Sequence, residues 1–446
     1  MVNYFDSPEG EAILKPLYSD SADAPERERR RYVSLAEGML SLPGISVNTE
    51  SLRLFSAPGR TELGGNHTDH NRGRVLAASV QMDAAAVAAP RSDRKVFFRS
   101  TGFPDVSVNL EGKDGKLDLS PKPEERGTTE ALIRGIAHEF AGRGVETGGF
   151  SANASSTVLP GSGLSSSAAV EVLIAKIFDC LYGNGQCSAV ELAMISQKAE
   201  NVFFGKPCGL MDQAASACGG AIAIDFADPS APLVKQIDFD PLAAGYVLCV
   251  INTHGSHADL TPDYAAIPQE MGEVARFFGK SFLREIELSQ VFSAASQIRK
   301  SLGDRALLRA IHFFNENRRV DAMAALLEEL AAAAQPQKRE IMARFLDIVN
   351  ESGNSSWELL QNVYSPRNTY EQGLSLALAA SREFFREHGF RAACRVHGGG
   401  FAGTVQAYIP AAGLEGYRTR MDALFGRGSL AVLRIRPVGA VELKPD

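Results

Sequence analysis

Three segments of the chain concentrate glycine, hydroxyl and ionisable side chains where an ordinary core would have few: residues 57–71, 159–169 and 395–404. The middle one, Leu159-Pro160-Gly161-Ser162-Gly163-Leu164-Ser165-Ser166-Ser167-Ala168-Ala169, opens the apolar, helix-forming stretch 168–182. Glycines permit close backbone approach, and the unpaired amides and positive dipole end of a helix start attract an anion. Serine hydroxyls there can reach phosphate oxygens or a metal ion. The segment reads either as a phosphate cradle or as a serine-capped turn. The first segment carries His67, Asp69 and His70. That set suits hydrogen bonding to a polar ligand better than a transition metal, which needs further ligands nearby.

Two other glycine patterns fail on their context. Gly279-Lys280-Ser281 ends like a Walker A loop but has Val274 where that loop needs glycine. Gly398, Gly400 and Gly403 match a dinucleotide fingerprint, yet residues 404–409 read as a strand where a helix should start.

A large framework must position such segments. With 446 residues the chain exceeds what one core fills, which predicts two domains, residues 1–244 and 245–446, with a ligand-binding cleft between them. A hydrophobic fraction of 45% against 22% charged residues predicts an ordered globular chain. Residues 1–50 read as a helical lead-in ending at Leu42-Pro43-Gly44, and residues 106–110 alternate as a half-buried strand. Ser188 and Glu191 form a capping-box signal, followed by Leu192, Ile195, Ala199, Val202 and Phe203 at helical spacing. On that helix Glu200 falls at the edge of the apolar face, as a solvated charge would. Residues 246–251 read as a buried strand, 268–380 as mainly helical, and 404–409 and 430–435 as strands. The pattern is a strand-rich first half and a helix-rich second half that closes with strands.

The formal charge of −7 and pI near 5.7 argue against nucleic acid as a partner. Arg27, Arg29, Arg30 and Arg31 alternate with Glu26 and Glu28 as on a solvated helix face. The six cysteines include no C-x-x-C pair, which argues against a zinc site or a disulfide framework. The first residues, MVNYFDSPEGEA, lack a basic region followed by an apolar one, and no apolar run is long enough to span a bilayer. The expectation is a cytoplasmic protein without a membrane partner.

In this order the three segments resemble the signatures of the GHMP kinases, the small-molecule kinases of galactose, homoserine, mevalonate and phosphomevalonate. The first is similar to the galactokinase pattern G-R-V-N-L-I-G-E-H-T-D-Y-N, met here by Gly59, Arg60, Leu63, Gly65, His67, Thr68, Asp69 and Asn71. The resemblance implies an α+β, two-domain GHMP kinase fold with the active site in the cleft. Its N-terminal domain would be like domain 2 of ribosomal protein S5, and its C-terminal domain ferredoxin-like. It implies a galactokinase-like enzyme that moves the γ-phosphate of ATP to the anomeric hydroxyl of galactose, with Mg²⁺, as a monomer or weak homo-oligomer.

Roles are implied by resemblance, residue by residue. Cys208-Gly209-Leu210-Met211-Asp212-Gln213 is similar to the family's G-I-M-D-Q segment, which makes Asp212 the catalytic base and Arg60 its partner. Glu200, twelve residues before Asp212, and Ser167 match the Mg²⁺ ligands. Gly161, Ser162, Gly163, Leu164, Ser165, Ser166 and Ser167 would bind ATP, and Gly398–Gly403 would support the phosphates. Sugar contacts are implied for Asn66, His67, Thr68, Asp69, Gly209 and Tyr264, the last closing the stretch that begins at His257.

The chain departs from the pattern at Asn66, where the family has glutamate, at His70 for tyrosine, at Gly64 for a bulky residue, and in the placing of Pro160. An amide donates as well as accepts and carries no charge, so Asn66 is compatible with a sugar bearing a C6 carboxylate. Galacturonate is therefore the alternative substrate, beside other galactose-like sugars. A non-catalytic sugar sensor is a further alternative, opposed by the complete Ser165–Ala169 run.

Overall fold

The computed structural model of the chain describes residues 12–18, 24–42, 51–158, 161, 163–255 and 260–444. Pro43, Gly44, Leu159, Pro160, Ser162 and His257, which enter the sequence reading, lie outside the described residues.

The first sheet is organised by a long antiparallel hairpin, β1 (Arg53–Gly64) and β2 (Arg74–Pro90). The connection between them carries His67 to Asn71. Strand β2 also pairs with β5 (Phe150–Ser156) and β6 (Ala221–Asp225). Beyond β5 lie β3 (Lys95–Ser100) and β4 (Val106–Asn109), and beyond β6 lies β7 (Leu233–Ile237). Both faces of the sheet are covered, so its central strands need apolar residues on either side. Ala85, Val87 and Ala89 face helix α1 (Ala24–Met39), while Ala84, Ala86 and Ala88 belong to the larger core. That core takes in α2 (Thr129–Gly142), α3 (Ser166–Tyr182), α4 (Ala189–Lys198) and α5 (Met211–Cys218). The Arg/Glu-rich stretch predicted as a solvated face is α1, and it is only partly solvated: Arg31 reaches the buried Asp83 at 2.6 Å.

The second sheet runs β11 (Leu430–Leu433), β8 (Tyr246–Asn252), β10 (Thr404–Pro410), β9 (Ala393–His397), all antiparallel. Among its covering helices are α10 (Gln335–Ser355), α11 (Gly373–Glu387) and α12 (Leu414–Phe425). Residues 398–403 form the turn of the β9–β10 hairpin, so no helix follows the third glycine-rich segment. The long helix α9 (Asp304–Ala332) packs on β2 and α10, and with α6 (Thr261–Phe277), α7 (Leu288–Ser293) and α8 (Ala295–Leu302) it frames a separate apolar cluster. The chain then crosses back: β12 (Val441–Leu443) pairs with β1, so segment 245–446 contributes a strand to the first sheet and covers that edge of β1. Among the described residues no helix is long and apolar enough to cross a membrane.

One local feature differs from the periodicity. The capping box forms, with the amide of Glu191 donating to Ser188 Oγ at 3.2 Å and that of Ser188 to Glu191 Oε2 at 2.8 Å. After α4, however, the backbone widens into a π-turn over Ala199–Phe204. The extra residue in that turn rotates the side chains within it away from the regular helical facing. Val202, expected on the apolar face, is 56% exposed, and Glu200, expected in solvent, is 3% exposed.

Candidate active site

Arg60 and Asp212, separated by 151 intervening positions, form a bidentate pair: Nε to Oδ1 at 2.7 Å and Nη2 to Oδ2 at 2.8 Å. A register shift in the β1–β2 ladder between Pro58 and Arg60 marks the point where β1 leaves regular pairing. The Arg60 amide donates to Leu164 O at 2.9 Å, and a side chain on Gly59 would meet that oxygen at 2.8 Å. Glycine at 59 thus lets the strand touch the serine-rich segment. Asp212 lies in the first turn of α5, and Ser165 Oγ donates to its Oδ2 at 2.6 Å. Burial acts to raise the Asp212 pKa, but the Arg60 guanidinium and the Ser165 hydroxyl outweigh it and hold the carboxyl below its ordinary value. The side chain keeps 30% of its surface exposed, so a charged carboxylate faces the cleft.

That cleft is a cavity of about 240 Å³. One wall is Gly161, Gly163 and Ser165–Ser167, the other the 398–400 turn with His397 and Thr404, and Lys206, Arg60 and Asp212 complete it. Ser165, just before α3, holds a left-handed backbone (φ 58°), which brings the chain into the helix with its first amides free of intrahelical acceptors. Gly163 is also left-handed (φ +71°), and a Cβ there would lie 2.3 Å from Thr404 Oγ1. Small, amide-rich and flanked by a lysine and an arginine, the cavity fits a polyphosphate.

Behind Lys206 lies a buried acidic pair. Lys206 Nζ is 2.9 Å from Glu200 Oε1, and the Gln213 amide donates to Glu200 Oε2 and Glu171 Oε2, each at 2.9 Å. Burial first, and the neighbouring Glu200 charge second, push Glu171 up to about 8. Among the described residues Glu171 Oε1 and Gln213 Oε1 have no hydrogen-bond partner. Oxygen donors therefore exceed protons here, the environment a hard cation requires. Among the described residues no three His, Cys, Asp or Glu side chains form a cage for a metal on their own. An ion at this place would need ligands from phosphate and water.

The loop after β1 holds the sugar-motif residues. The Asp69 carboxylate packs on Gly209, where a Cβ would sit 1.6 Å from Asp69 Oδ2. This contact joins the loop to the segment that carries Asp212. His67 Nε2 lies 2.9 Å from Gly399 O, so that nitrogen carries the proton, and burial holds its imidazole down at about 4. Thr68 Oγ1 contacts the Gly65 and Arg74 carbonyls, shaping the turn. Asn66 is 1% exposed, and its amide is engaged on both sides. Nδ2 donates to Gly398 O at 2.7 Å and to Glu62 at 3.1 Å, while Oδ1 accepts from Asn362 Nδ2 at 2.8 Å. Tyr264 OH donates to Gly400 O at 2.9 Å. Thus Arg60, Asp212, Gly161, Gly163 and Ser165–Ser167 meet on the cavity, with Leu164 buried at its back. Asn66, His67 and Tyr264 instead brace the 398–400 turn.

Several residues escape the sequence reading. Lys206 stands just before Pro207-Cys208, and Glu171 is an acid within the apolar run 168–175, four residues after Ser167; both signals are visible in the sequence. His312, Glu316 and Asn317 on α9 are not flagged by any motif. His312 Nε2 donates to Asn66 O at 3.0 Å, Glu316 accepts from the Gly65 amide at 3.1 Å, and Asn317 accepts from the Arg74 amide at 2.6 Å. Met323 of the same helix occupies the space a larger side chain at Gly64 would need.

Two family descriptions match the chain: the GHMP kinases N terminal domain over residues 131–220 and the galactokinase galactose-binding signature over residues 46–90. Galactokinase of Streptomyces coelicolor is 30% identical over 385 residues, 86% of this chain and 91% of that one. Galactokinase of Glaesserella parasuis is 30% identical over 369 residues, covering 81% and 86%. Among solved structures, Lactococcus lactis galactokinase complexed with galactose superposes with a TM-score of 0.74 at 23% identity, covering 92% of this chain and 99% of that one. Methanococcus jannaschii mevalonate kinase shares the fold more distantly, with a TM-score of 0.57 at 13% identity over 88% and 99% of the two chains. The chain belongs to the galactokinase family of the GHMP kinases and is an ATP-dependent sugar kinase.

Proposed function

We propose that the protein transfers the γ-phosphate of ATP to the anomeric hydroxyl of galactose or a close galactose-like sugar, giving the sugar 1-phosphate. The observation that carries this reading is the Asp212 carboxylate, clamped by Arg60 and Ser165 on the wall of a glycine- and serine-lined cavity. An ionised carboxylate there takes the proton of the attacking hydroxyl. Arg60 keeps Asp212 charged and offsets negative charge that develops on the transferred group. The amides and hydroxyls of Gly161, Gly163 and Ser165–Ser167 hold the polyphosphate. Ser167 and Glu200 would hold Mg²⁺, which would supply positive charge to neutralise the phosphates.

Asp69 and Gly209, adjoining Asp212, supply contacts for ring hydroxyls, with His67 beside them. Asn66 acts from behind, by fixing the 398–400 turn. A second reading, a sugar acid such as galacturonate, is favoured by one feature: the carboxylate nearest Asn66, Glu62, is neutralised by Arg395, so that end of the site presents no uncompensated negative charge. Every residue assigned here comes from one chain, so a monomer or weak homo-oligomer suffices, and six free cysteines suit the cytoplasm. Incubation with ATP, Mg²⁺ and galactose, galacturonate, arabinose or N-acetylgalactosamine, read by phosphorus NMR, should give a 1-phosphate of at least one sugar. Nucleotide binding without turnover of any of them would refute the reading.

A further inference from the structure

The turn end of the β9–β10 hairpin carries two side chains that the chemistry above leaves unused. His397 ends β9 and Thr404 opens β10, directly opposite each other in the ladder. Both are buried, and both line the cavity with Arg60 and Asp212. His397 Nδ1 lies 2.9 Å from Thr404 Oγ1, and Nε2 lies 3.0 Å from Thr61 Oγ1.

The surrounding donors fix the direction of every bond in this chain. The Glu62 backbone N–H points at His397 Nε2 at 3.3 Å, so Nε2 is an acceptor. Gln406 Nε2 donates to Thr61 Oγ1 at 2.8 Å, leaving the Thr61 hydroxyl hydrogen for Nε2. The ring proton is therefore on Nδ1 and is donated to Thr404 Oγ1. Burial first, then the Arg60 and Arg395 cations, keep this imidazole neutral, with Asp212 acting in the opposite sense. Thr404 Oγ1 accepts from His397 through one of its two lone pairs, and its own hydrogen has no acceptor among the described residues. The hydroxyl oxygen lies against Gly163 of the phosphate-binding wall.

We propose that Thr404 contacts the nucleotide, its hydroxyl donated to the terminal phosphoryl group of ATP, and that His397 is the positioning residue whose Nδ1–H turns the hydroxyl hydrogen away from the ring and leaves it for a ligand. A hydroxyl hydrogen held out for donation favours an anion. The inference rests on the sugar kinase reading in one respect: the terminal phosphoryl group must sit beside Asp212, where Thr404 is.

Thr404→Val removes the hydroxyl and keeps the shape, and Thr404→Ser restores it. Calorimetry with Mg²⁺ and either a non-hydrolysable ATP analogue or ADP reads the terminal phosphate alone. Thr404→Val should weaken the ATP analogue on the order of 10-fold to 100-fold and ADP by less than about 2-fold, with Thr404→Ser near wild type. His397→Gln should reduce the same ATP-to-ADP preference, and should add nothing to it in the Thr404→Val background. Should Thr404→Val fail to fold in thermal melting, Thr404→Ala is measured in its place. Equal loss of both nucleotides, or no loss of either, overturns the proposal. Wild-type protein that binds neither nucleotide would overturn the kinase reading with it, whereas normal wild-type turnover beside an unchanged preference in Thr404→Val overturns this inference alone.

Discussion

Arg395→Met should unfasten the two sheets in a pH-dependent way. Arg395 on β9 and Glu62 on β1 form an ion pair that is 0% and 2% exposed. Arg395 also donates Nη1 to Leu63 O at 3.0 Å, and Asn66 Nδ2 reaches both Glu62 oxygens at 3.1 Å. Methionine keeps much of the apolar volume but leaves the carboxylate buried with only amide donors, a situation that costs about 3–5 kcal/mol. Burial already raises the Glu62 pKa in spite of Arg395 and Arg60, and removal of Arg395 raises it further. A carboxyl with a raised folded pKa binds more protons folded than unfolded. Its stability contribution is present below the ordinary value of about 4.3 and is lost as pH rises through the folded value. The variant should therefore lose about 3–5 kcal/mol near pH 8 and recover part of it near pH 5. Denaturant unfolding followed by the fluorescence of the one tryptophan, Trp357, measures this. Glu62→Gln/Arg395→Met, which removes both charges, should be more stable than the single variant at pH 8. A loss below about 1 kcal/mol at pH 8, a loss independent of pH, or a double variant no better than the single would refute the reasoning.

Arg60→Gln should lower kcat by on the order of 10²-fold, because a charge aimed at the transferred group is gone. Since burial raises the Asp212 pKa but Arg60 and Ser165 together outweigh it, the acidic limb of the wild-type rate profile should lie below the ordinary carboxylate range, and this variant should move it upward. Gly209→Ala places a methyl group 1.6 Å from Asp69 Oδ2 and should raise the sugar KM by about 10-fold or more while leaving the KM for ATP near wild type. Glu200→Gln should raise the Mg²⁺ concentration for half-maximal rate by about 10- to 100-fold, checked independently by calorimetric titration of Mg²⁺ into the complex with an ATP analogue.

How legible all this is in the sequence depends on the range of the interactions. The capping box at Ser188, the alternating strand read at 106–110, the apolar buried strand read at 246–251 and the glycine-serine entry to α3 are set by neighbours a few residues apart, and each forms to within a residue of where the sequence places it. The inward turn of Glu200 is not, because a π-turn depends on the packing of Phe203 and Gly135 rather than on the local period. Arg60, Asp212 and the serines are found by motif. Their support from α9, through His312 and Glu316, is invisible because those side chains meet the loop at Asn66 and Gly65, some 250 positions away. Asn66 shows the limit most clearly. Its identity suggests a sugar contact, whereas its neighbours Glu62, Asn362 and Gly398 use up its amide. The return of β12 to β1 is likewise a long-range pairing that no local pattern announces.

The role of Asp212 is reached most directly by Asp212→Asn, which keeps the shape of the side chain and removes its charge and basicity. Phosphorus NMR of the sugar 1-phosphate, beside calorimetry of sugar and nucleotide binding, should show turnover reduced by on the order of 10³-fold or more with both ligands still bound. Turnover within about 10-fold of wild type would contradict the assignment of Asp212 as the base.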